Sequence, residues 1–182
     1  MRTSWIIADS FSSVSIEPEQ LKNIGPVWGS WRTWRAWSTD NVICHDFGRA
    51  QELLQRAFQA VCNFYVPNRH FSQLGRPTKV NVYEGDFPGE LDRHEEIVAM
   101  HLAAAASDLV LLMGYDLGEI TTEDRYERHK QTNYMNAFRA TLNTYPEVQF
   151  VLIDHTKDLD KSLQSISNLT CDKFQTVLQL FN

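Results

Sequence analysis

Trp5-Ile6-Ile7-Ala8-Asp9 sets the pattern of this chain. Large apolar side chains follow one another without a polar partner between them, and the run closes on a carboxylate. Read as a strand over 3–9, it is apolar on both sides, as a strand covered by helices on both faces must be. Four more runs repeat the form: Asn41-Val42-Ile43-Cys44-His45-Asp46, Val80-Asn81-Val82-Tyr83-Glu84, Leu109-Val110-Leu111-Leu112-Met113-Gly114-Tyr115-Asp116 and Val148-Gln149-Phe150-Val151-Leu152-Ile153-Asp154. Each ends on or just before an acidic residue. The expectation is a single α/β domain over 1–182, with a mainly parallel sheet of about five strands and helices on both faces. In open sheets of this kind, ligands bind outside the carboxyl ends of the strands. The acidic run ends therefore mark where a site should lie, without saying what it does.

Helical spacing fills the gaps. Ala50, Leu53, Leu54, Ala57, Phe58, Val61 and Phe64-Tyr65 recur at three- and four-residue steps, which predicts an amphipathic helix. Asp46 is placed to cap it and Pro67 to stop it. Asp92 with Glu95 resembles a capping box ahead of an alanine-rich helix. A long helix is expected over 122–143, polar in its first half, and an amphipathic segment with Phe174, Val177, Leu178 and Phe181 at the end. Residues 10–40 break any period with serine, glycine and proline and read as an irregular Trp/Arg-containing loop or lid, with a short helix at Glu17–Ile24.

Composition narrows the function. The chain has 182 residues, 43% apolar and 22% charged, with a formal net charge of −6. That charge disfavours nucleic acid, whose phosphates need clustered Lys and Arg. No apolar run is long enough to span a bilayer, and the amino terminus lacks the pattern of a secretory signal. Three cysteines without metal-type spacing, Cys44, Cys62 and Cys171, read as buried thiols in a reducing compartment. The expected location is the cytoplasm of a host or infected cell.

The catalytic candidates are carboxylates at the run ends: Asp9, Glu84, Asp86 and Asp116. Carboxylates meeting from several strands can act as an acid–base pair or bind Mg²⁺, so Mg²⁺ is a candidate cofactor. Ser10 and Ser12 are candidate phosphate ligands and Tyr115 a candidate ligand contact. Trp28, Trp31, Trp34 and Trp37 recur every third residue with Arg32 and Arg35 between them. That segment is either a stacking lid over a ligand, a set of indoles packed on the core, or a dimer or partner surface. Trp31, Arg32 and Arg35 are the ligand-binding candidates within it. His94, Glu95, Glu96 and His101 share a helix, but the histidines stand seven residues apart, too far to share a zinc easily. Arg125, Arg128 and His129 open the long helix and read as an anion reader or a solvated face. There is no dinucleotide fingerprint, P-loop or nucleophile elbow.

The texture of Gly25-Pro26-Val27-Trp28-Gly29-Ser30-Trp31 through Asn41–Asp46 resembles that of small accessory proteins of tailed phages. That resemblance implies no catalytic residues. At the level of fold, the pattern is similar to nucleoside deoxyribosyltransferases and other Rossmann-like nucleotide binders, which implies a single-domain three-layer sandwich. Two functions follow as expectations. One is a nucleotide- or nucleoside-binding protein, a hydrolase or glycosyl transferase acting at the strand carboxyl ends. The other is a non-catalytic accessory protein that binds a protein partner, or itself as a homodimer, through Trp28–Trp37.

Overall fold

The structure is a computed structural model and describes residues 1–9, 17–84, 94–155 and 158–181. Its strands are β1 (Thr3–Ile7), β2 (Val27–Ser30), β3 (Asn41–Ile43), β4 (Asn63–Pro67), β5 (Val80–Tyr83), β6 (Leu109–Met113), β7 (Gln149–Ile153) and β8 (Leu169–Asp172). The helices are α1 (Pro18–Lys22), α2 (Trp31–Trp37), α3 (Phe47–Gln55), α4 (Asn68–Gln73), α5 (Glu95–Ala104), α6 (Arg125–Thr144) and α7 (Phe174–Gln179). All eight strands form one sheet in the order β5-β4-β3-β2-β1-β6-β7-β8, and every neighbouring pair is parallel.

The α/β class and parallel sheet stand as expected; the count of about five strands does not. The five apolar runs became β1, β3, β5, β6 and β7, and three strands were added. β2 lies inside the segment expected to be irregular, which from residue 17 onward is a helix, a strand and a helix. β8 is an edge strand in which only Leu169 is buried, so it shows no apolar run. β4 was hidden in the long stripe assigned to a helix. That helix, α3, stops at Gln55; Ala57 takes φ 55° and a 3₁₀ turn over Phe58–Ala60 redirects the chain. Phe58 then sits 4.6 Å from Trp34 and 5.4 Å from Phe64, ring centre to ring centre. Packing of these rings overrides the helical spacing, and Pro67 ends β4 rather than α3.

β1 and β6 lie side by side in the interior of the sheet. All ten of their residues are buried. Ile6, Val110 and Leu112 face α5 and α6, while Trp5, Ile7, Leu109, Leu111 and Met113 face Leu21 of α1, Trp37 of α2 and Phe174 of α7. α5 lies across β2, β1 and β3; Ala99, Ala103 and Ala104 are its buried small residues, and side chains that short let a helix settle close to a sheet. Buried Ser4 and Ser107 join their hydroxyls at 2.8 Å where β1 meets the start of β6.

The turn into β2 is pressed onto β1. Trp5 N donates to Pro26 O at 3.0 Å, and a Cβ on Gly25 would stand 2.0 Å from Thr3 O. That atom is backbone and cannot swing aside. Gly25→Ala is therefore expected to destabilise the fold by about 1–3 kcal/mol, read as a lower denaturation midpoint in urea. An unchanged midpoint would mean that the turn is not held against β1.

Candidate functional site

The chain runs from β1 outward to β5 and then returns to the other side of β1. The direction of strand order thus reverses between β1 and β6, and a crevice opens at their carboxyl ends. Two connected cavities occupy it, of about 970 and 790 Å³. Asp9, His94, Glu96 and Lys130 border both.

Asp9 follows β1 directly. Its carboxylate is held by three donors from β2 and α2. Ser30 Oγ donates to Oδ1, Thr33 Oγ1 donates to the same oxygen at 2.9 Å, and Arg32 Nη1 donates to Oδ2 at 3.2 Å. Ser30 also caps α2, accepting from Arg32 N and Thr33 N at 3.0 and 3.2 Å. Its lone pairs serve the helix while its single proton serves Asp9. The close fit depends on Gly29: a Cβ there would lie 3.0 Å from Thr33 Cβ and Cγ2 and 3.3 Å from Ile7 O. Three donors thus converge on Asp9 from one side, and the residue borders both cavities on the other.

Glu95 and Glu96 open α5 opposite Asp9. Glu95 Oε1 accepts from His45 N at 2.7 Å. Burial pushes the Glu95 carboxyl up to about 7, Asp9 adds to the rise, and the bond from His45 works against it. Burial, and then Asp9, also pushes Glu96 up. Tyr134 of α6, beside Glu96 and Asp116, is held well above the ordinary tyrosine range, by burial first and then by Glu96. The crevice thus places a carboxylate gripped by three donors beside two carboxyls that retain protons more strongly than usual.

α6 forms the opposite wall. Asp124 caps it, accepting from Tyr126 N and Glu127 N at 2.8 and 2.9 Å. Helical spacing puts Glu127, Lys130, Gln131 and Tyr134 on the first cavity, and Tyr126, His129, Lys130 and Asn133 on the second. Of the Arg125, Arg128 and His129 cluster, His129 lines the second cavity and the two arginines line neither of these two; Arg128 donates through Nε and Nη2 to Thr122 O at 3.1 and 2.9 Å.

The sequence candidates divide accordingly. Asp9 and Asp116 both line the first cavity, and Trp31 and Arg32 line the second. Arg35 does not line either; it lies over the Trp31 ring at 5.2 Å. Tyr115 is 5% exposed, packs on Phe138, and donates its hydroxyl proton to Glu96 O at 2.9 Å. It supports α5 from inside the core and does not reach the ligand space. Glu84 follows β5, the sheet edge four strands from β1, about 19 Å away at ordinary strand spacing; Asn68 Nδ2 lies 3.4 Å from each of its carboxylate oxygens. Ser10, Ser12, Asp86 and Asp92 fall outside the described residues.

Of the tryptophan segment, Trp28 and Trp37 are buried in this chain's own core. Trp34 packs edge-on against Phe58. Trp31 is half-buried, with the Arg49 guanidinium 4.3 Å from its ring centre.

Ser30, Thr33, Arg49, Glu95, Glu96 and Lys130 were not singled out as site residues by the sequence. A signal existed for the two glutamates, since a helix crossing between parallel strands starts at the carboxyl end of the sheet. Among the described residues, no group of three or more His, Cys, Asp or Glu side chains is arranged to hold a metal ion, and no helix is long and apolar enough to cross a membrane. No protein-family model, curated protein or solved structure matches the chain.

Proposed function

We propose that this protein is a hydrolase or glycosyl transferase acting on the glycosidic bond of a nucleoside or nucleotide in the crevice between β1 and β6. On this reading the fold is a Rossmann-like three-layer sandwich with its ligand at the reversal of strand order, and the protein works in the cytoplasm. One observation carries the proposal: Asp9, gripped by three donors, stands with Glu95 and Glu96, whose carboxyls burial holds toward the protonated form. Two carboxyl groups whose environments separate their protonation states are what glycosidic cleavage requires.

In the proposed reaction Glu96, which borders both cavities, gives its proton to the departing base. The bond from the anomeric carbon to the base nitrogen breaks, and its electron pair stays with the nitrogen. Asp9 stabilises the positive charge that develops on the sugar. An acceptor hydroxyl, or water, then bonds the anomeric carbon and releases its proton to Glu96, which restores the starting state. Glu95, tied to His45 N, helps to hold the start of α5 in place.

The alternative, docking through Trp28–Trp37, draws less support, because Trp28 and Trp37 are covered by the chain itself.

The test is base release, followed by chromatography, from a panel of ribo- and deoxyribonucleosides and their monophosphates. Wild type is expected to release base from at least one member. Glu96→Gln is expected to be slower by about 10²–10⁴-fold, the range for losing a general acid. Wild-type activity should fall as pH rises through the elevated Glu96 value, because the acid is then deprotonated. A panel with no release, with or without an added acceptor sugar or base, would sink the reading.

A further inference from the structure

The two arms of the crevice differ in chemistry. The first has Ile120, Met135, Leu159 and Tyr134 in its wall, set among polar groups that include Asp116, Glu119, Glu127 and Lys161. Those four side chains make an apolar and aromatic patch of the kind a flat, weakly polar group fills. The second is lined by three permanent cations, Arg32, Arg49 and Lys130, with His129 beside them.

These cations retain donor capacity. Arg32 commits Nη1 to Asp9, leaving the rest of a five-donor fork. Arg49 pairs with Glu52 through Nη1, and its guanidinium lies over the Trp31 ring, 4.3 Å from the ring centre. Lys130 is exposed and makes no ion pair with a described residue. The carboxylates on the same arm are largely engaged. Asp46 caps α3 through Arg49 N at 2.7 Å, Glu95 accepts from His45 N, and Asp9 is gripped by three donors. The burial that keeps Glu95 and Glu96 toward their neutral forms lowers the opposing charge further.

We infer that the second arm is a phosphate site, and that the substrate is a nucleoside monophosphate lying across the crevice. The base enters the first arm, the ribose lies over Asp9 and Glu96, and the phosphate sits among Arg32, Arg49 and Lys130. The position of the ribose rests on the glycosidic reading above; the anion site rests on the cations alone. A phosphate monoester, with up to two charges and three terminal oxygens, can engage three separate cationic donors. A carboxylate has one charge and two oxygens and would leave part of the set unused. A long polyanion fits poorly, since the chain carries a net charge of −6.

The test is calorimetric titration of the full chain at low salt with ribose 5-phosphate and with ribose. The phosphate is expected to bind at least tenfold more tightly. Lys130→Gln, a change at an exposed side chain that should not disturb folding, is expected to remove most of that preference, and Arg49→Gln to reduce it similarly. Lys79→Gln, remote from the crevice, controls for net charge and should keep it. Equal affinity for the two sugars, or a preference unchanged in Lys130→Gln and Arg49→Gln, would overturn the phosphate site. The glycosidic reading fails separately. A clear phosphate preference without base release from any nucleotide would leave the anion site standing and remove the chemistry. Base release from nucleosides without any phosphate preference would do the reverse.

Discussion

Asp9→Asn is expected to slow base release by about 10³-fold or more while leaving the fold intact. Asparagine has nearly the same shape, and its amide oxygen can still accept from Ser30 and Thr33 at the geometry seen for Oδ1. What changes is charge. The amide nitrogen now faces the Arg32 guanidinium, and the sugar cation loses its counter-charge. The stability cost should be small. Arg32 is 66% exposed in its pair with Asp9, and ion pairs that open to water contribute at most about 1 kcal/mol. A melting curve within a few degrees of wild type, together with lost turnover, separates a chemical role from a structural one. If Asp9→Asn kept wild-type turnover, Asp9 would have no part in the reaction and the crevice would need another centre.

The second large effect is on stability rather than rate. Glu95 has an ordinary value of 4.5 and is pushed to about 7 in the folded chain, chiefly by burial. Between those values the folded state binds more protons than the unfolded state. The stabilisation is therefore complete below about pH 4.5 and is lost as pH rises through 7. Glu95→Gln carries no titrating carboxyl and can still accept from His45 N. The variant should match wild type near pH 4.5 and exceed it by about 3 kcal/mol at pH 8. His70 and His101, both lowered by burial, act in the opposite direction. They are present in both chains and cancel in the difference. Urea denaturation of the two proteins at pH 4.5, 6, 7 and 8 measures it. A difference that does not grow with pH would show that Glu95 is not desolvated. A difference still rising with undiminished slope between pH 7 and 8 would place its value higher than 7.

The sequence made the centre of this fold legible because central parallel strands are apolar on both faces. Trp5-Ile6-Ile7 and Leu109–Met113 leave no polar side for water, and their buried patterns match that reading. The missed strands lack this signature for separate reasons. Val27-Trp28-Gly29-Ser30 ends on a glycine that fits against Thr33 and a serine that binds Asp9. Phe64 and Val66 alternate correctly for β4, but they extend a helical stripe that begins at Ala50. Leu169–Asp172, at an edge, needs only one apolar residue.

The site was legible at its floor and not in its walls. Asp9 and Asp116 stand at strand ends, so local pattern placed them together. Glu96 and Lys130 belong to helices whose placement over the crevice follows from the strand order, which no local pattern reveals. Tyr115 shows the limit from the other side. It stands one residue nearer to the end of β6 than Asp116 does, yet its ring turns into the core, while Asp116 remains at the cavity.

The pairing of β1 with β6 has a consequence for how the protein is made. β1 leaves the ribosome before the other strands of the sheet, and β2 can cover one of its edges soon after. The other edge waits for Leu109, about 100 residues later. At ordinary elongation rates of about 5–20 residues per second, that is a delay of roughly 5–20 s. Throughout it, one of the most apolar strands in the chain presents a row of unpaired amides and carbonyls to its surroundings. The nascent chain, rather than the finished fold, is the form most exposed to aggregation. A ribosome stalled before residue 109 would hold that edge open, and chaperone capture should be strongest in the same interval.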